Sequence, residues 1–317
     1  MKIKRKPVII SISKKKLSNS EKLLIKREKP WGIILFKRNI HSFDQLKALT
    51  NEIKKCLNDP YYPILIDEEG GTVSRLSSLI NSREFSQKFF GNLFEMDKNK
   101  GIFIYKSYLN SLCAVLNISG ININTIPVMD LLQNITHKII KDRTYSKKKQ
   151  TIKILAKICI NTLKENKIGS VAKHIPGHGC VNVDSHLKLP IVNTNLKKLI
   201  LNDFNLFKNL NSNFVMTAHV LYKKIDPNNV ATLSKKIIHE IIRKKLNYKG
   251  LIISDDISMK ALSNNLVLNS KKALDSGCNL ILYCGGKIEE SKKILKSLDK
   301  IDNFTEKKTK QFYEFLR

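Results

Sequence analysis

The sequence predicts an α/β protein, a single-domain (β/α)8 barrel of the TIM type. Three observations carry that prediction. Eight short apolar runs rich in β-branched residues recur along the 317-residue chain, helical segments lie between them, and no glycine-rich linker or low-complexity stretch divides it. A barrel of this kind needs about 250 residues as one unit, so the length suffices.

The runs are PVIISI (7–12), GIILF (32–36), PILID (63–67), ININTIP (121–127), GSVAKH (169–174), NFVMTAH (213–219), GLIISDD (250–256) and CNLILYC (278–284). Continuous apolar runs suit strands buried on both faces, as in a parallel sheet. Helical spacing marks SFDQLKALTNEIKKCL (42–57), QTIKILAKICINTLKEN (150–166) and LSKKIIHEIIRKKL (233–246). Ser42 is placed to cap the first of these. Leu233, Ile237, Ile238, Ile241, Ile242 and Leu246 stack on one face of the last. Strand and helix alternating in this way favour a closed barrel over an open sheet. The whole chain, 1–317, reads as one domain, with its motifs within about 5–290 and a helical tail over 291–317.

Composition narrows the class. The formal charge is +30, but the lysines are spread along the chain and no basic run is interleaved with aromatics. The charge is therefore read as a solvated surface, not a nucleic-acid interface. The six cysteines form no CxxC pair, as expected of reduced thiols. The basic start MKIKRK is followed only by PVIISIS before KKK, too short for the apolar region of a signal peptide. No apolar run approaches the ~18 residues of a membrane span. The expected location is the cytoplasm.

A barrel places its chemistry at the carboxyl ends of its strands. Just past the runs stand Lys37 and Arg38, Asp67 with Glu68 and Glu69, Asp130, Lys173 with His174, His219, and Asp255 with Asp256. In IDEEGGTVSRL (66–76) three carboxylates precede two glycines and Arg75. A carboxylate there can accept hydrogen bonds from vicinal sugar hydroxyls, and paired glycines let backbone approach a ligand closely. Asp67 is the functional candidate, while Glu68 is read as part of a solvated strand-to-helix turn. No GK[ST] follows, which excludes a nucleotide-phosphate loop.

VAKHIPGHGCVNVDSHLKLP (171–190) gathers Lys173, His174, His178, Asp184 and His186. Pro176 and Gly177 prevent a helix between His174 and His178, which argues against a zinc motif of the helical kind. Asp184 and His186 are two residues apart, so in an extended segment they point the same way. A carboxylate bonded to one ring nitrogen makes the other a better base. No GxSxG serine accompanies the pair, so it must serve another nucleophile. GLIISDDISM (250–259) offers one, because two adjacent aspartates at a strand end cannot both face the barrel axis. Alternation alone leaves Asp255 and Asp256 equal candidates. Arg143, in KDRTY (141–145), could reach over the mouth to a carbonyl, hydroxyl or carboxylate.

In this order, IDEEGGTVSRL, KDRTY, KHIPGHGCVNVDSHLKLP, VMTAHV followed by IDP, GLIISDDISM and ALDSGCNLILYC resemble the family 3 glycoside hydrolases in their bacterial β-N-acetylglucosaminidase branch, and GIILFKRN (32–39) resembles that family's first signature. The resemblance implies retaining hydrolysis of a terminal β-linked N-acetylglucosamine. The usual substrates are GlcNAc–1,6-anhydro-MurNAc peptides in peptidoglycan recycling. It makes Asp255 the nucleophile, His186 the general acid/base and Asp184 its partner. Asp67, Arg75, Arg143, Lys173 and His174 become substrate-binding residues. No cofactor and no metal are expected; the expected partner is a small carbohydrate, without nucleic acid or membrane, and the expected state is a monomer. Glu68 stands where the family commonly has Gln, and Lys141 where a Gly is often found. The alternatives are another β-sugar, phosphate in place of water as acceptor, or an inactive nucleic-acid-binding relative.

Overall fold

The structure, a computed structural model, describes residues 4–133, 141–181, 188–263 and 265–317. Eight parallel strands close a barrel: β1 (Lys6–Ser11), β2 (Pro30–Leu35), β3 (Ile64–Ile66), β4 (Ile123–Asn124), β5 (Gly169–Ile175), β7 (Phe214–Thr217), β9 (Leu251–Asp256) and β10 (Leu280–Tyr283). Each pairs with its neighbours in sequence order, and β1 closes the ring by pairing with β10. All eight apolar runs of the sequence supply these strands. Two short strands, β6 (Ile191–Val192) and β8 (Leu221–Tyr222), form a separate parallel pair outside the barrel.

Helices cover the barrel, and their first turns show why they begin where they do. Ser42 accepts from the backbone of Gln45 at the start of helix Phe43–Cys56, as the sequence predicted. Ser18 and Glu21 cap helix Asn19–Glu28 reciprocally, and Ser86, Asp97 and Asp302 cap the helices that follow them. The predicted helix over 150–166 is Lys149–Glu165. The segment predicted over 233–246 differs in its winding. Ala231–Leu233 forms a short 3₁₀ turn, and Ile237–Lys245 winds as a π-helix, ending in a bond from the Leu246 N–H to the Ile241 carbonyl. The paired isoleucines 237/238 and 241/242 are all buried, so the wider winding keeps the same apolar face on the barrel. Among the described residues no helix is long and apolar enough to cross a membrane.

The core has two layers separated by strand alternation. Ile9, Ile34, Leu65, Ile123, Val171, Met216, Ile253 and Leu282 fill the barrel interior. Their neighbours Val8, Ile64, Ala172, Val215, Ile252 and Ile281 face outward into the shell of helices. At the amino-terminal end, helix Asn303–Leu316 stops the barrel. Phe312 packs edge-on against Phe214 at 5.0 Å and lies beside Trp31, whose indole N–H donates to Thr309 Oγ1 at 2.9 Å.

Candidate active site

Where alternation is unbroken, the side chain two residues beyond an apolar interior position returns to the inner face, at the carboxyl mouth of the barrel. Ile9 is thus followed by Ser11, Ile34 by Phe36, Leu65 by Asp67, Ile123 by Thr125, Val171 by Lys173 and Leu282 by Cys284, while the strand pairing shifts near the ends of β7 and β9. The barrel therefore changes from an apolar to a largely polar interior within one layer.

Lys173 is the centre of that layer. Its side chain is 3% exposed, and its ammonium donates to Thr125 Oγ1 at 2.8 Å, to Asp67 Oδ1 at 3.1 Å and to Glu69 Oε1 at 2.6 Å. Thr125 Oγ1 in turn donates to Asp67. Arg75 approaches the other Asp67 oxygen at 3.5 Å and lies over the Phe36 ring. Burial opposes the charge on Asp67, but Lys173 and Arg75 outweigh it and hold the carboxyl well below the usual carboxylate range. Glu69 receives Arg143 through Nε at 2.8 Å and Nη2 at 2.9 Å. Its carboxyl too is lowered against burial, by Arg143 and then Lys173, while Glu69 raises Arg143. Asp67, Glu69, Arg75, Arg143 and Lys173 thus form one connected network of fixed charge.

His174 extends it. Its Nδ1 lies 2.7 Å from Asp130 Oδ2, and the other Asp130 oxygen accepts the backbone N–H of His178 at 2.7 Å. Burial raises the Asp130 carboxyl, but His174 and His178 bring it below its ordinary value, so a carboxylate holds His174 with Nδ1 as donor. His178 is lowered to about 4, chiefly by burial, and so sits in the site as a neutral ring. Among the described residues no group of three or more His, Cys, Asp and Glu side chains could hold a metal ion.

Contacts, not strand register, distinguish the two aspartates that alternation in the sequence left equal, because the pairing of β9 with β10 shifts between Ile253 and Asp256. The Asp255 carboxylate lies close enough to His178 to favour that ring's charged form, and its backbone N–H donates to Thr217 Oγ1 at 3.2 Å. Asp256 braces the neighbouring strand: its carboxylate accepts from the Ser258 N–H and hydroxyl and from the Cys284 N–H at 3.2 Å. Asp184 and His186 lie outside the described residues.

One reading of the sequence needs correction. Glu68 is not in a solvated turn at a helix start. It is fully buried, and its carboxylate accepts from the N–H groups of Arg75 and Leu76, both at 2.7 Å, and from the Ser82 hydroxyl at 2.7 Å. The next helix begins only at Gln87, and Glu68 organises the loop in between. Gly70, just after it, admits the protein's own backbone. Gly70 has φ +78°, and a Cβ there would lie 2.2 Å from the Phe85 carbonyl oxygen. Sequence reasoning also missed Glu69 and Thr125 as members of the charged network. Thr125 was recoverable, since it shares the parity of Ile123; nothing in IDEEGG tells the pairing of Glu69 from the scaffolding of Glu68.

The family model for the glycosyl hydrolase family 3 N-terminal domain matches residues 4–312. The chain belongs to glycosyl hydrolase family 3. Within the family it is similar to proteins named β-hexosaminidase: 32% identical to that of Haemophilus influenzae over 283 residues, covering 87% of this chain and 79% of the relative. With that of Nitrosomonas eutropha it is 30% identical, covering 88% and 80%. Among solved family structures, NagZ from Neisseria gonorrhoeae in complex with N-trifluoroacetyl-D-glucosamine superposes with a TM-score of 0.88 at 26% identity, over 100% of this chain and 91% of that one. A Paenibacillus family 3 β-N-acetylglucosaminidase shares the fold at TM-score 0.87 and 24% identity, covering 98% of this chain and 60% of that one.

Proposed function

We propose that the protein is a retaining β-N-acetylhexosaminidase that removes terminal β-linked N-acetylglucosamine from GlcNAc–1,6-anhydro-MurNAc peptides in the cytoplasm, during peptidoglycan recycling. The observation that carries this reading is the polar layer at the barrel mouth. In it Lys173 joins Thr125 and Asp67, and the charge of Asp255 acts on the buried His178 ring. The Neisseria protein, solved with an N-acylated glucosamine, supports the sugar class, and the β-hexosaminidases support the reaction.

In this reading Asp67, Arg75, Arg143, Lys173 and His174 hold the sugar hydroxyls and the acetamido group. Their charges are already paired, so the donors and acceptors are fixed before the sugar arrives and little reorganisation accompanies binding. Asp255 attacks the anomeric carbon as the bond to the leaving oxygen breaks, and His186 gives that oxygen its proton. A glycosyl ester on Asp255 results. His186 then takes a proton from water, whose oxygen attacks the same carbon and releases the Asp255 carboxylate. Asp184 stabilises the protonated imidazole and orients it. A histidine thus replaces the second carboxylic acid of the usual pair.

The test is release of 4-nitrophenol from 4-nitrophenyl N-acetyl-β-D-glucosaminide, with chelator present and phosphate absent, for wild type, Asp255→Ala and His186→Ala. Turnover that collapses in Asp255→Ala and falls strongly in His186→Ala supports both roles. A folded but inactive wild type that becomes active when phosphate is added, releasing a sugar phosphate, replaces hydrolysis with phosphorolysis. Turnover unaffected by Asp255→Ala rejects the assigned nucleophile.

A further inference from the structure

His219 follows β7 at the barrel mouth and is fully buried, as are Thr217 and Thr232. The three form a hydrogen-bonded chain around the end of β9. The Asp255 N–H donates to Thr217 Oγ1 at 3.2 Å; Thr217 Oγ1 and Thr232 Oγ1 lie 2.8 Å apart; Thr232 Oγ1 is 2.7 Å from His219 Nδ1; and His219 Nε2 is 2.9 Å from the carbonyl oxygen of Asp256. The chain starts at the amide of one aspartate and returns to the carbonyl of the next.

Elementary donor counting gives the chain a direction. A carbonyl oxygen only accepts, so His219 Nε2 carries a proton. With Nδ1 as acceptor, the Thr232 hydroxyl proton is shared between Nδ1 and the Ala218 carbonyl oxygen at 3.2 Å, and the Thr217 hydroxyl donates to Thr232. Thr217 keeps a lone pair for the Asp255 N–H. Both ring nitrogens of His219 are thereby occupied, which removes it from proton transfer.

We propose that His219, Thr232 and Thr217 are positioning residues that grip the Asp255–Asp256 backbone from both ends and so aim the Asp255 carboxylate at the anomeric carbon. This inference rests on the reading of Asp255 as the nucleophile. The residues touch no reacting atom, and they govern formation of the glycosyl ester, not sugar binding. Asp256, through its bonds to Ser258 and Cys284, steadies the same strand end from the β10 side.

The experiment uses the full chain and a 5-fluoro N-acetylglucosaminyl fluoride, which forms the glycosyl ester and releases it slowly. Labelling rate is followed by intact mass, the labelled residue by peptide mapping, and N-acetylglucosamine Kd by calorimetry. Thr232→Val keeps the shape of the side chain but removes the hydroxyl; Thr232→Ser keeps the hydroxyl. Thr232→Val and Thr217→Val are expected to slow labelling at least tenfold with Kd within threefold of wild type, and Thr232→Ser to recover labelling to within threefold. Labelling at the wild-type rate in both valine variants, a parallel loss of labelling and binding, or a Thr232→Ser as slow as Thr232→Val would each overturn the inference alone. A wild type labelled elsewhere than Asp255, or not at all, would overturn the nucleophile assignment and this inference with it.

Discussion

Glu69→Gln is the sharpest test of how the charged layer is held. Glu69 is 1% exposed and is the acceptor for two buried cations, Lys173 at 2.6 Å and Arg143 at 2.8 Å, whose side chains are 3% and 10% exposed. The amide keeps the volume and one oxygen but removes the charge. Among the described residues it leaves Lys173 only Asp67 as an anionic partner, which it already shares with Arg75. Removing one partner of a buried pair costs about 3–5 kcal/mol, because the desolvation of the other is no longer offset. The pH dependence has a definite sign. The folded-state carboxyl of Glu69 is depressed, so its contribution is complete above the ordinary glutamate value of 4.5 and is lost as pH falls through the lower folded value. The cost of Glu69→Gln is thus expected to be flat from about pH 6 to 8 and to shrink in acid. Urea unfolding at several pH values measures it, and a cycle with Arg143→Gln, in which the double variant is more stable than the summed single losses require, tests the pairing. A single-variant cost below about 1 kcal/mol with an unchanged m-value would refute the argument that this network depends on mutual neutralisation.

Two further predictions concern parts of the fold that carry no catalytic role. Asp203 is buried beside Gly177, with both oxygens 3.1 Å from the Gln133 amide nitrogen; burial, and then the charge of Asp130, push its carboxyl up to about 6. The folded state therefore holds a proton that the unfolded chain has already released. Wild-type stability is expected to fall by about 2–3 kcal/mol between the unfolded value near 4 and the folded value, and Asp203→Asn to abolish that slope in urea unfolding at pH 4.5 and 8. An unchanged slope would reject the assignment. Phe312→Ala, which unplugs the amino-terminal end of the barrel, is expected to cost about 3–5 kcal/mol while leaving KM for the aryl glucosaminide within about twofold. A loss of under about 1 kcal/mol would mean that helix Asn303–Leu316 does not seal the barrel.

The barrel was legible because each strand is a continuous apolar run, and such runs have few other places to go. The identity of the inward residues was less so. Parity fixes a side chain only while alternation is unbroken, and the pairing of β9 with β10 shifts between Ile253 and Asp256, so tertiary contacts alone tell Asp255 from Asp256. Where alternation holds, it also explains why the site lies where it does. The positions two residues beyond the apolar interior are the last at which a barrel side chain still faces the axis, and a charge there is partly buried but still reaches the mouth. Lys173 is tolerable at that depth because the end of β3, across β4 from it, delivers two acceptors, Asp67 and Glu69, to one ammonium. The third acid of the same tripeptide, Glu68, points to the backbone of its own loop and fixes the geometry of the other two. The sequence DEE shows three equal carboxylates, and only the alternation of the chain through β3, together with the N–H groups that Arg75 and Leu76 bring back to it, divides them into one scaffold and two members of the site. His219 illustrates the same limit from the opposite direction. A lone histidine at a strand end suggests proton transfer, but its partners, Thr232 at position 232 in a 3₁₀ turn and the carbonyl of Asp256 on another strand, are set by tertiary packing alone. Those partners consume both nitrogens, so the residue most suggestive of acid–base chemistry on β7 is the one the fold commits to holding backbone in place.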